Sequence, residues 1–227
     1  MVVVTTSIPF RPGASRHDQF EANRARVAHA AHCVALTSPD AVIVVVTNPG
    51  EAMCAAAQDG SGFERHRVLG MAGVLDTARL TLFLAEELAA SVDEVETTVI
   101  GGHGDTAVAL IGRTTIRGIP VQTLVPPARL AEIIRRAQRA GVEITELLGR
   151  ETPSFAPAMA AAALVDAITC DRKQVFPAVV RLDGEYGLRG LYAGVPSRLG
   201  RRGVEEIIEV ELTHEETAGL HHLRASS

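Results

Sequence analysis

The chain has 227 residues, 47 % of them hydrophobic and 22 % charged, with 22 Lys and Arg against 27 Asp and Glu and a net charge of −5. That balance predicts a folded chain with a core large enough for one or two domains, and it excludes a disordered one. The acidic net charge argues against nucleic acid as a partner, since phosphate binding needs a basic face, and no apolar run is long enough to span a membrane.

The chain opens on a β-branched run, Val2-Val3-Val4-Thr5-Thr6, that predicts a strand from its first residues. No basic-then-apolar leader precedes it, so the cytoplasm is the expected location. Pro9, Pro12 and Gly13 mark a loop carrying Arg11 and Arg16, before a helix expected over Asp18–Leu36. Ala41–Thr47 is a Val/Ile run of the kind buried on both faces in parallel sheets, and it ends in Thr47-Asn48-Pro49. Ligands in such sheets sit beyond the carboxyl ends of the strands, which places Asn48 well, although Asn-Pro is also a common turn. A helix over Glu51–Asp59, a break at Gly60-Ser61-Gly62 and a strand over Val68–Met71 follow.

Asp76 and Arg79 stand three apart at the start of the apolar segment Leu75–Leu88 and share a helix face. One can orient an imidazole while the other holds a carboxylate; as a bare intrahelical ion pair they are worth only a few tenths of a kcal/mol. Ser91-Val92-Asp93-Glu94 has a capping-box pattern before the run Val95–Ile100. That run ends in Gly101-Gly102-His103-Gly104-Asp105, where glycines let the backbone crowd a ligand and leave His103 placed for proton transfer.

Beyond it, strands are expected over Ala107–Ile116 and Ile119–Leu124, then a helix over Pro127–Leu148 kinked near Gly141 and an alanine-rich helix over Pro157–Cys170. Strands over Val175–Leu182, Gly190–Val195 and Glu206–Leu212 precede a last helix, His214–Leu223, with a Thr213-x-x-Glu216 capping box. Cys33, Cys54 and Cys170 lack CxxC pairing, which fits reduced thiols in a core. His214, His221 and His222 have no partner ligands nearby in sequence, so no metal site is expected.

The runs Thr47-Asn48-Pro49, Gly70-Met71-Ala72-Gly73-Val74-Leu75-Asp76-Thr77-Ala78-Arg79 and Gly101-Gly102-His103-Gly104-Asp105 resemble the signatures of the lactate/malate dehydrogenase family, closest to its lactate-dehydrogenase-like malate dehydrogenases. The resemblance runs from about Val2 to about Leu223. It implies an α/β fold with a Rossmann-type parallel sheet over residues 1–98, followed by an α+β catalytic and substrate domain over residues 99–227. It also implies NAD-linked interconversion of an L-2-hydroxy acid and its 2-oxo acid in a homodimer or homotetramer. Carried over by position, His103 is the proton-transfer group and Asp76 its partner, Arg79 clamps the substrate carboxylate, and Arg16 polarises its carbonyl. Asn48 contacts substrate and cofactor, while Asn23, Val46 and Thr47 lie against the cofactor.

Three departures qualify what the resemblance implies. The strand, Gly-x-Gly-x-x-Gly turn and helix that open the family's NAD domain, roughly 60–80 residues, are expected before Val2 and are not in the sequence. A pseudoenzyme that serves as an oligomerisation or regulatory partner is therefore the competing reading. Phe10, followed by Arg11, occupies the position of the arginine that selects malate's second carboxylate, which opens lactate or another 2-hydroxy acid as substrate. Pro153 stands where the family has a small or hydroxyl residue in the substrate pocket.

Overall fold

The computed structural model describes residues 1–8, 16–149 and 153–225. Three short parallel strands, β1 (Val2–Val4), β2 (Ile43–Val45) and β3 (Val68–Gly70), pair in the order β1-β2-β3, with Val3 opposite Val44 and Val44 opposite Leu69. Helices α1 (Arg16–Thr37), α2 (Gly50–Ser61) and α3 (Ala72–Leu88) follow the three strands in turn. Ile43 and Val45 pack with Val27, Ala31, Met53 and Ala57 on one face. Val42 and Val44 join the main core on the other. The unbroken Val/Ile run is thus buried on both sides, about 1.5–3 kcal/mol for each such side chain.

After α3 the run Val95–Ile100 does not stay one strand. It divides into β4 (Val95–Glu96) and β5 (Val99–Gly101), which belong to different sheets. Thr97 and Thr98 turn the chain between them: Thr97 Oγ1 lies 2.8 Å from Thr114 Oγ1, and Thr98 O accepts from the Leu110 amide at 2.9 Å. Ala107–Ile116 is likewise not continuous. β6 (Ala107–Ala109) gives way to a turn at Ile111–Arg113, where Thr114 Oγ1 donates to Leu110 O at 2.9 Å, before β7 (Thr115–Ile116). β8 (Ile119–Pro120) is shorter than expected, since the chain turns after Pro120 into α4 (Val121–Leu124).

Helix α5 (Pro127–Leu148) runs through Gly141 as one helix, without the expected break. Helix α6 (Phe155–Thr169) buries Ala160, Ala161 and Ala167, small side chains that admit close packing. The long hairpin of β9 (Gln174–Asp183) and β10 (Arg189–Gly200) follows, and a tight turn at Arg201-Arg202 leads into β11 (Gly203–Ile207). β11 starts earlier than expected because Gly203, at φ +96°, pairs directly with Gly200. Helix α7 (His214–His221) carries the expected box: Thr213 Oγ1 accepts from the Glu216 amide at 3.2 Å, and Glu216 Oε2 from the Thr213 amide at 2.8 Å.

Among the described residues one sheet runs β1-β2-β3-β9-β10-β5-β6 with β11 on β10, and β4-β7-β8 form a smaller one. β9 pairs antiparallel with β3 at Gly70–Val179, and β10 with β5 at Gly194–Gly101. The long hairpin therefore sets the end of β3 and the glycines before His103 in one sheet. Of the cysteines only Cys54 lies in the core; Cys33 and Cys170 are exposed, against expectation. No described helix is long and apolar enough to cross a membrane.

Candidate active site

Two segments converge through backbone contacts that their glycines make possible. A Cβ on Gly73 would stand 2.0 Å from Pro177 O, so the first turn of α3 lies directly on β9. One turn on, Asp76 is buried, and Thr77 Oγ1 accepts from the Val99 amide at 2.9 Å, which ties α3 to the strand leading to His103. Gly101 and Gly104 adopt φ +90° and +69°, a backbone costly for other residues, and between them His103 emerges in extended conformation. Thr106 Oγ1 donates to His103 O at 3.3 Å, and Gln138 Nε2 of α5 to Ala107 O at 2.9 Å, fixing the far side of the turn.

His103 Nδ1 lies 2.8 Å from Asp76 Oδ2. A carboxylate can only accept, so Nδ1 carries hydrogen and donates, and Nε2 is left as the atom that takes or gives a proton. The hydrogen bond that His103 donates to Asp76 is the main reason the imidazole is pushed above its ordinary 6.5; burial and Arg79 oppose the shift, and Glu51 adds to it. Arg79 Nη1 lies 3.4 Å from the other oxygen, Asp76 Oδ1. The guanidinium is buried, and its Nε has no hydrogen-bond partner among the described residues, so a cation is held beside the imidazole with a donor unspent. Helix α5 leaves room there, since a Cβ on Gly141 would come only within 3.5 Å of Arg79 Nη2. An oriented base and a buried cation with a free donor can manage the proton of a hydroxyl and hold a carboxylate.

At the carboxyl end of β2, Thr47 is buried and its Oγ1 donates to Thr6 O at 2.9 Å, while Asn48 is exposed and Val46 half-buried. An exposed carboxamide next to an apolar side chain at the ends of parallel strands fits the amide and ring face of a nicotinamide. Asn23, expected against the cofactor, is buried: its Oδ1 accepts from the Ile8 amide at 2.6 Å and anchors the segment that leaves β1. Phe10 and Arg11 lie outside the described residues, as does the side chain of Arg16; Pro153 is half-buried just before α6. Sequence reasoning passed over Glu51, whose place in the first turn of α2 signals nothing beyond a common helix-start acid. Burial is the main cause that pushes its carboxyl above the usual range, and His103 and Asp76 both act on it. No group of three or more potential metal ligands occurs among the described residues.

Residues 1–70 match the model of the lactate/malate dehydrogenase NAD-binding domain, and residues 73–226 that of the family's alpha/beta C-terminal domain. A malate dehydrogenase of Thermomicrobium roseum is 48 % identical over 221 residues, 97 % of this chain and 71 % of that protein. One from Synechocystis is 44 % identical, over 97 % of this chain and 68 % of its own. The solved malate dehydrogenase of Salinibacter ruber superposes with a TM-score of 0.93 at 43 % identity, covering 99 % of this chain and 71 % of that one. A Cryptosporidium parvum lactate dehydrogenase complexed with lactic acid and NAD does so with a TM-score of 0.93 at 34 % identity, covering 99 % and 72 %. With both domain models matched in order and the glycine-flanked His103 bonded to Asp76 beside Arg79, the chain belongs to the lactate/malate dehydrogenase family of NAD-dependent oxidoreductases.

Proposed function

We propose that this chain interconverts malate and oxaloacetate with NAD as cofactor. The observation that carries the reading is the His103–Asp76–Arg79 group, one base held at Nδ1 by a carboxylate with a buried guanidinium alongside. In malate oxidation, His103 Nε2 takes the hydroxyl proton, and Asp76 stabilises the imidazolium that forms. In oxaloacetate reduction the same proton returns to the substrate oxygen. Arg79 clamps the carboxylate next to the reacting carbon. Arg16 polarises the carbonyl, as the family resemblance implies. Asn48 donates to the substrate oxygen and, with Asn23, Val46 and Thr47, forms the nicotinamide end of the cofactor site. NAD, when bound, supplies the acceptor or donor of the hydride.

Support for malate over lactate comes from the malate dehydrogenases among the relatives. We place the division between the NAD-binding and catalytic units near Thr97–Ile100, where the chain leaves one sheet for the other. The same reading makes the protein a cytoplasmic homodimer or homotetramer. Leu36 on α1 and Leu82 on α3, large apolar side chains left exposed, support packing through those helices.

The test is NADH binding by fluorescence titration, followed by turnover of oxaloacetate and pyruvate in native protein and in His103→Asn. Oxaloacetate turnover that the substitution abolishes, with NADH binding kept, is the expected result. A folded sample without NADH binding or turnover would overturn the reading in favour of a binding partner without activity.

A further inference from the structure

The turn that presents His103 is held from outside by two side chains, and the scheme above uses one of them. Among the described residues, the side chains of other elements that bond the segment 101–107 are Asp76 and Gln138. Asp76 of α3 meets the imidazole at 2.8 Å, and Gln138 of α5 donates from Nε2 to Ala107 O at 2.9 Å. A carboxamide in this place has a structural use, since β6 is the outer strand of the large sheet and a carbonyl on its free side has no strand to bond. The place of the bond, at the end of the His103 turn, gives it a second use.

Three of the four residues from Gly101 to Gly104 are glycine, and Gly101 and Gly104 stand at φ +90° and +69°. Glycine has the widest choice of backbone conformations, so such a segment does not hold its own shape. Within the turn, the Gly102 amide donates to Thr106 O at 3.1 Å and Thr106 Oγ1 to His103 O at 3.3 Å, bonds that travel with the turn if it moves as a body. Gln138 ties it to a helix instead. That helix packs on both α3 and the turn at Gly104–Thr106. Three residues beyond Gln138, a Cβ on Gly141 would lie 3.5 Å from Arg79 Nη2, so one face of α5 reaches from the base to the carboxylate clamp. Asp76 and Gln138 also line one small cavity, together with Val99 and Ala107.

We propose that Gln138 is a positioning residue for His103: its hydrogen bond to Ala107 O braces the glycine turn against α5 and keeps the imidazole in register with Asp76. The inference rests on His103 as the proton-transfer group. Without the brace the turn can shift on its glycines, and a contact of 2.8 Å tolerates little of that. Nε2 then points away from the substrate oxygen for part of the time. The cost falls on the chemical step rather than on substrate binding, because Arg79 keeps its place on α3.

The test compares the full native chain with Gln138→Met, which keeps the reach of the side chain and removes the donor. The His103 Nδ1 proton, followed by NMR without substrate and assigned against His103→Asn, should be retained in native protein and lost to exchange with water in Gln138→Met. In oxaloacetate reduction kcat should fall on the order of tenfold, with KM for oxaloacetate and affinity for NADH unchanged. The alkaline limb should move to lower pH, because the bond to Asp76 is the main cause that raises the imidazole. Arg139→Gly, at an exposed position of the same helix, is the control: it should lower the urea midpoint and leave the ring signal and the limb in place. A Gln138→Met protein with native ring signal, kcat and limb would overturn the proposal and leave Gln138 as a cap on the edge of β6. If that variant does not fold, Gln138→Asn, one methylene too short to reach Ala107 O, decides in the same way. Because the ring signal needs no turnover, its loss in Gln138→Met beside an inactive native protein would remove the enzyme reading alone, and activity with the signal kept would remove only Gln138.

Discussion

His103 and Asp76, 27 positions apart in the chain, meet at 2.8 Å between Nδ1 and Oδ2. The contact joins helix α3 to a turn whose glycines flank His103 in extended backbone, so the tautomer is set before any substrate arrives. Asp76→Asn keeps the side-chain shape but offers Nδ1 either a weaker acceptor or a competing donor. Oxaloacetate reduction is expected to lose about a hundredfold or more in kcat/KM with NADH affinity unchanged, read by steady-state NADH oxidation.

The same contact sets the pH dependence. The hydrogen bond donated to Asp76 raises the His103 pKa above 6.5, so the imidazolium persists to higher pH than in a free side chain. On the proposed assignment oxaloacetate reduction needs that cation: its rate is expected to be full below the raised pKa and lost as pH rises through it. Malate oxidation needs the neutral ring and shows the opposite limb. The stability from this pair has the sign of a raised pKa, fully present below 6.5 and lost as pH passes the folded value. Initial rates in both directions against pH, together with urea midpoints over the same range, check the two signs. An oxidation rate that fell as pH rose through the same window would refute the base assignment.

Arg79 makes a more specific demand. Its guanidinium is buried beside Asp76, with an unspent Nε donor and the bare backbone of Gly141 next to it. Lysine offers a point charge where a fork of donors is required. Arg79→Lys is expected to raise KM for oxaloacetate by about tenfold or more, the order of one lost charge-assisted hydrogen bond, while His103 still titrates. Unchanged KM would show that the substrate carboxylate is held elsewhere.

His103, Asp76 and Arg79 were legible in the sequence because each signal is local: glycines on both sides of a histidine, and an acid and an arginine one helical turn apart. β2 was legible because an unbroken Val/Ile run has few alternatives to two-sided burial. The division of Val95–Ile100 was not, because Thr97 and Thr98 are as β-branched as their neighbours and the bonds they make where the chain turns go to distant Thr114 and Leu110. The surroundings of Glu51 and Asn23 were not legible for a related reason. Each looks ordinary on its own helix, and what Asn23 meets, the Ile8 amide, lies on a distant segment.

Gly73 tests whether the approach of α3 to the hairpin positions the site. A Cβ there would meet Pro177 O at 2.0 Å and Pro177 Cβ at 3.3 Å, and the first of these is backbone of β9 that cannot swing aside. Gly73→Ala must therefore push α3 off the sheet. Overpacking of this kind costs about 1–3 kcal/mol, more than the ~1 kcal/mol that alanine gains over glycine in a helix interior. The urea midpoint should fall. Activity should fall further than stability implies, because Asp76 and Arg79 lie three and six residues along the displaced helix and the 2.8 Å contact to His103 leaves little tolerance. Gly112→Ala is the control, since nothing lies within 4 Å of its added Cβ. A Gly73→Ala protein with native midpoint and native kcat/KM would show that α3 can shift without carrying the site with it.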